Sequence, residues 1–170
     1  MSDVRLSLCM IVRDEAEMLP AFLEHVHGLW DELVVVDTGS VDETVSILEA
    51  AGARVSYRAW DDDFSAARNA SLDAARGAWI AFFDADERVS PELCAQLRAL
   101  VDAPESDIGA ATVVMQNQLP AGHVHAAPLL RVFRNDPEVR FKHRIHEDIS
   151  GAVSTYLGRT GHQLATLSGV

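Results

Sequence analysis

AWIAFFDADE, residues 78–87, is the stretch that decides how this chain folds. Ala78 to Phe83 form an unbroken apolar run that reads as a strand running into Asp84. The run stops abruptly, and Asp84 and Asp86 then stand two residues apart at its carboxyl end. In an extended turn these carboxylates can aim at one cation and the phosphates it bridges, and such hard oxygen ligands suit Mg²⁺ or Mn²⁺. The phrase equally fits a loop whose acids complement the dipole of a helix beginning near Pro91. Its surroundings separate the two readings.

Working outward, Phe64 to Ala75 is an Ala-rich helical stretch closed by Gly77, and Ser90 to Val101 is a second helix with Pro91 in its first turn. Leu6 to Val12 is an expected buried strand. Glu15 to Leu29 then carries Met18, Leu19, Phe22, Leu23 and Val26 at helical spacing. Leu33 to Val36 is a strand closed by Asp37, Asp42 to Ala51 a helix stopped at Gly52, and Arg54 to Arg58 a short strand. Strands alternating with helices require crossover connections, so the class is α/β with a mostly parallel sheet. Asp14, Asp37 and the Asp84–Asp86 pair then fall at carboxyl ends of strands, where open α/β sheets bind ligands. That alignment favours the functional reading of DADE.

After Pro104 the texture changes. Ala110 to Gln116 and Leu129 to Phe133 are expected strands, separated by polar loops with Pro120, Gly122, Pro128 and Pro137. Ser154 to Val170 shows no clear pattern, and its end carries no capping signal, which fits a chain cut short at its C-terminus. No linker or repeat divides the chain, so residues 1–170 are taken as one domain.

Composition narrows the partners. With 48% hydrophobic and 24% charged residues the chain has the balance of a packed globular protein, not of a disordered one. A net charge of −12 would repel a nucleic-acid backbone, so nucleic acid is excluded as a partner. Cys9 and Cys94 lie in separate apolar segments and suggest neither a disulfide scaffold nor a metal pair. The opening MSDVRLSLCMIVRDE has too short an apolar run for a transmembrane helix and no cleavage pattern, so a cytoplasmic location is expected.

SLCMIVRDEAEML, VVVDTGSVDET and DFSAARNASLDAARGAWIAFFDADE together resemble the family 2 glycosyltransferases, over roughly residues 5–150. Within them the likeness leans to bacterial members with DTGS after the second strand and RVFRN and RIHE later. The resemblance implies the GT-A fold, a Rossmann-like three-layer sandwich. It divides the chain into a nucleotide-sugar-binding half, 1–103, and an acceptor-facing half, 104–170. It also implies that Asp14 and Glu15 line the nucleotide pocket, that Asp37 reads the base, and that Asp84 and Asp86 form the DXD motif, with Asp86 on the metal. Thr38 departs from relatives that carry a second acid there. Arg68 would approach the diphosphate or position Asp84 through a charge-assisted bond; its plainer reading is a solvated helix arginine.

The activity so implied is metal-dependent, inverting transfer of a sugar from a nucleoside diphosphate, of uracil by likeness alone, to a glycan, lipid-linked or peptide acceptor, with the inner face of a membrane as an alternative place of work. Inversion needs a base opposite the leaving group. HRIHED, residues 143–148, offers Glu147, which aligns with the RIHE members, and Asp148, which fits an ED pattern; Glu147 is favoured. His143 and His146 could bind metal or phosphate, although an isolated histidine is more often a packing or surface residue. His162 is a candidate late metal ligand, and His123 and His125 could touch the acceptor from what otherwise reads as a surface loop. Trp60 to Asp63 read as a helix lead-in capped by Asp63 or Ser65. Two rivals remain: a nucleotidyltransferase, which lacks its usual Gly-rich basic loop here, and a module that binds a nucleotide sugar without turnover.

Overall fold

The computed structural model describes residues 4–103, 106–118 and 124–168. β1 (Leu6–Val12), β2 (Glu32–Asp37), β3 (Arg54–Tyr57) and β4 (Trp79–Phe82) run parallel, in the order β3-β2-β1-β4. β6 (Val124–Arg134) is antiparallel to β4, β5 (Ile108–Gln118) is antiparallel to β6, and β7 (Gln163–Leu167) lies parallel to β5 at the far edge. One seven-stranded sheet therefore runs through both halves of the chain.

Because successive strand residues face opposite sides, the apolar runs of β1 and β4 feed two cores at once. On one face Leu6, Leu8, Met10, Trp79 and Ala81 pack with Phe22 of α1 (Leu19–His25), Leu48 of α2 (Thr44–Ala50) and Leu97 of α4 (Pro91–Asp102). On the other, Cys9, Ile80, Phe82 and Phe133 meet Leu72 of α3 (Phe64–Ala74) and Val153 and Tyr156 of α5 (Ser150–Thr160). The result is three layers. Asp63 caps α3 by accepting the Ala66 amide at 2.9 Å, and Ser90 caps α4 by accepting that of Leu93 at 3.1 Å.

Four elements depart from the expectation. α1 covers only Leu19–His25, not Glu15 to Leu29. The backbone of its expected first turn is drawn into a loop, where the amides of Glu15 and Ala16 donate to Thr44 Oγ1 (2.7 Å) and Asp42 Oδ2 (3.1 Å). β6 begins at Val124 and includes Pro128, which the sequence places in a loop. Pro128 is tolerated because β4 pairs with β6 only at Val132–Arg134, so at Pro128 the strand has a partner on one side alone. α5 and β7 occupy the patternless C-terminal stretch. Among the described residues no helix is long and apolar enough to cross a membrane.

Candidate active site

The chain leaves β1 toward β2 and β3, then returns through α3 to β4 on β1's other side, so strand order reverses between β1 and β4. Adjacent connections diverge at such a point and open a crevice at the carboxyl ends. A cleft of about 650 Å³ lies there. Its walls come from Ile11 to Arg13, Glu15 and Met18 after β1, Thr38 after β2, Trp60, Phe64 and Arg68 around the start of α3, and Asp84 to Asp86 after β4.

Acids converge on this cleft. Burial, followed by Asp86, Asp84, Asp42 and Asp14, pushes the Glu15 carboxyl above its ordinary range. Such mutual repulsion is relieved by a cation. Asp86 is exposed, while Asp84 presents a half-exposed carboxylate with one oxygen taken by Arg68. Among the described residues no three His, Cys, Asp or Glu side chains form a closed metal cage. Two carboxylates with remaining positions left to phosphate oxygens and water suit Mg²⁺ or Mn²⁺, which are usually held in that manner beside phosphates. The residues present therefore fit such an ion at Asp84 and Asp86.

Arg68 is buried, at 8% exposure, so the plain reading of a solvated helix arginine does not hold. Its Nε donates to Glu147 Oε1 at 2.8 Å and its Nη2 to Asp84 Oδ1 at 3.0 Å. The guanidinium also lies 5.4 Å from the Phe82 ring centre and 5.7 Å from that of Phe141. Burial alone would lower its pKa, but Asp84 and Glu147 outweigh that and raise it, fixing the charge. Two acids 63 positions apart in sequence are thereby held on one guanidinium.

Glu147 reaches Arg68 on a loop closed at its base by paired backbone bonds between Lys142 and Asp148 (2.9 and 3.0 Å). The loop docks on the start of α3: the Phe64 amide donates to the Arg144 carbonyl at 2.9 Å, and the Ser65 hydroxyl donates to the His143 carbonyl. His143 and His146 sit at φ 73° and 57°, left-handed positions that shape the turn. Asp148 is used differently. It accepts the Ser150 amide at 3.1 Å and the Ser150 hydroxyl, anchoring the start of α5, and these bonds draw its carboxyl below its ordinary range.

The remaining candidates scatter. Asp14, at φ 54°, does not line the cleft; its carboxylate accepts the Val41 amide at 2.8 Å and its own amide donates to Ser40 Oγ at 2.9 Å, joining the loops after β1 and β2. Asp37 is 2% exposed and accepts the amides of Gly39 and Ser40 at 3.1–3.2 Å, leaving Thr38 as the cleft wall. His162 corrects its expectation as a metal ligand. It precedes β7 beside the start of β5, at the sheet edge opposite the cleft, and stacks on Tyr156 with ring centres 5.8 Å apart. His123 lies outside the described residues, and for His125 only strand pairing with Asn117 is described. Trp60, in the expected helix lead-in, and Phe64, at the start of α3, form an edge-to-face pair, centroids 4.7 Å apart, on the cleft wall, a role the sequence reading missed. Aromatic residues flanking an acidic helix cap were the available signal.

The family model described as Glycosyl transferase family 2 matches residues 7–158. The chain belongs to glycosyl transferase family 2. That membership sets aside the nucleotidyltransferase reading. This family 2 chain is 48% identical over 143 residues to a TPR repeat-containing protein of Synechococcus elongatus, covering 84% of the chain and 35% of that protein. It is 29% identical over 141 residues to the SPbeta prophage-derived glycosyltransferase SunS of Bacillus subtilis, covering 82% and 33%. It thus spans about a third of the length of these curated relatives. Among solved structures, S. aureus TarS 1-349 superposes with a TM-score of 0.69 at 17% identity, over 98% of this chain and 58% of that one. Mannosyltransferase PcManGT from Pyrobaculum calidifontis, in complex with GDP-Man and Mn²⁺, gives 0.69 at 18% identity, over 100% and 56%. These likenesses show the fold, a GT-A α/β sandwich.

Proposed function

We propose that this family 2 domain transfers a sugar, with inversion and with a divalent metal, from a nucleoside diphosphate donor to a hydroxyl or thiol acceptor. The observation that carries this reading is the buried Arg68 bridge: Arg68 and Asp84 line the switch-point cleft, and the same guanidinium holds Glu147, so that in this reading Asp84 serves the leaving group and Glu147 the acceptor. Asp86 and Asp84 would hold Mn²⁺ or Mg²⁺, which when bound neutralises the charge developing on the diphosphate. Glu15 adds a carboxylate beside them, and Trp60, Phe64 and Thr38 wall the donor. Asp14 and Asp37 serve the donor through the loops they brace.

Arg68 uses one oxygen of Glu147, and the other takes the acceptor proton as the new glycosidic bond forms. Asp148 is committed to α5, which supports Glu147 as the base. The base of the donor is uracil in this reading, on the family likeness; the TarS neighbour was solved with UDP-GlcNAc and PcManGT with GDP-Man. The acceptor class stays open among glycan, lipid-linked and peptide. A soluble donor makes the cytoplasm the proposed location, with the membrane's inner face the place of work for a lipid-linked acceptor.

Calorimetry of UDP with Mn²⁺, repeated with chelator, tests the reading. Affinity is expected to fall steeply on chelation, and the Asp86→Ala protein with Mn²⁺ should match the chelated wild type. Equal binding in all three overturns the metal assignment. Metal-dependent binding without any transfer or donor hydrolysis supports a non-catalytic nucleotide-sugar module instead.

A further inference from the structure

The RVFRN phrase, residues 131–135, is left without a task by the site as described. Its first residue, Arg131, projects from β6 beside Phe82, its guanidinium 4.9 Å from the ring centre. Arg131 Nη2 donates to Glu87 Oε1 at 2.6 Å, with each side chain only 13% exposed. The second oxygen of Glu87 accepts the backbone amide of Asp84 at 2.9 Å. Glu87 therefore grips the first residue of the DADE turn from behind, and Arg131 grips Glu87. The same Asp84 holds Arg68 through its side chain. A continuous run of bonds leads from β6 through Glu87, Asp84 and Arg68 to Glu147.

A turn that presents two carboxylates to one ion must hold a defined shape, and β4 ends at Phe82, before that turn begins. Its shape must come from elsewhere. We propose that Glu87 and Arg131 are positioning residues, a buried strut that sets the Asp84–Asp86 turn for its metal. This rests on the assignment of the metal to that turn. Groups that orient a ligating carboxylate from behind typically change metal affinity by about 10- to 100-fold when removed. Both charges are buried, so removing one alone is expected to cost stability by leaving its partner unpaired.

Mn²⁺ binding in the presence of saturating UDP, followed by electron paramagnetic resonance of free Mn²⁺, tests the strut without any assay of turnover. The variants are Arg131→Met, Arg131→Lys and the neutral pair Glu87→Gln with Arg131→Met, which removes both charges and so preserves the fold where a single change leaves one stranded. Arg131→Met and the double variant are expected to bind Mn²⁺ about 10- to 100-fold more weakly than wild type, with Arg131→Lys between. A merely structural role would lower the melting temperature and leave Mn²⁺ affinity of the folded protein unmoved. Folded variants that all bind Mn²⁺ within about twofold of wild type overturn the strut. Failure of the wild type itself to bind Mn²⁺ with UDP overturns the metal assignment of the turn, a separate result.

Discussion

β1, β2 and β4 deliver Asp14, Asp37 and Asp84 within two residues of their carboxyl ends, whereas Glu147 arrives on a loop that no strand aims, closed only by the Lys142–Asp148 bridge. In the parallel region position follows from topology, because every strand points its carboxyl end at the same edge. In the later region position follows from docking, through the bonds of Phe64 and Ser65 and the Arg68 ion pair. Acids placed by the two routes carry different burdens. Two of the three strand-end positions, Asp14 and Asp37, turn out to brace loops, while the docked Glu147 stands in the buried bridge.

Removing the docked acid gives the largest expected effect. A base acting in the transition state contributes about 10²- to 10⁴-fold, so Glu147→Gln should lower turnover by that much with little change in the donor dissociation constant. Asp148→Asn should keep turnover and lose only helix anchoring; the opposite pattern would exchange the two roles. Next comes the joint between regions. Arg68→Met leaves the Glu147 carboxylate largely buried without its partner and should cost about 3 kcal/mol in chemical denaturation. A double cycle with Glu147→Gln should show coupling above about 0.5 kcal/mol, and simple additivity would mean that the regions are joined elsewhere.

Asp37→Ala sharpens the contrast from the parallel side. Loss of its acceptors for two loop amides should destabilise by about 1–3 kcal/mol and weaken UDP through the displaced Thr38. Weaker UDP binding at unchanged stability would instead mean direct recognition of the base by its carboxylate.

The smallest effect belongs to the sheet edge away from the cleft. Burial alone would raise the Asp31 carboxyl, but the amides of Leu6 and Arg5, with Arg98, outweigh it and draw it below its ordinary range. A depressed folded value contributes stability above the unfolded pKa, near 3.9 for Asp, which is lost as pH falls through the folded value. Asp31→Asn should therefore cost under about 1 kcal/mol at pH 7, with the gap to wild type closing below about pH 4. A gap that persists in acid would assign the cost to packing.

What was legible in the sequence follows the same division. AWIAFFDADE announced an apolar strand and its terminal acids because both are local properties, and Asp63 and Ser90 announced their helices in the same way. α5 was not legible. SGAVSTYLGRT carries Gly151, Gly158, Val153 and two interior hydroxyl residues, a poor helix former by propensity, and it is held by burial of Val153 and Tyr156 against a distant strand. α1 was overestimated because its first turn is claimed by Thr44 and Asp42, from another loop. Arg68 was ambiguous since its partner Glu147 lies 79 positions away, and Glu87 was invisible since its partner Arg131 lies 44 positions away.

The Arg68–Glu147 bond spans 79 residues, which gives the site an order of assembly in time. Contacts this distant in sequence form late, because the intervening chain must surrender its freedom before they reward it. A chain emerging amino-terminus first has β1 to β4 and every candidate metal-binding acid before it has a base. On the proposed roles, the acids that follow β1, β2 and β4 are synthesised before the 142–148 loop that carries Glu147 and docks on α3, so the base would be the last part of the site to arrive.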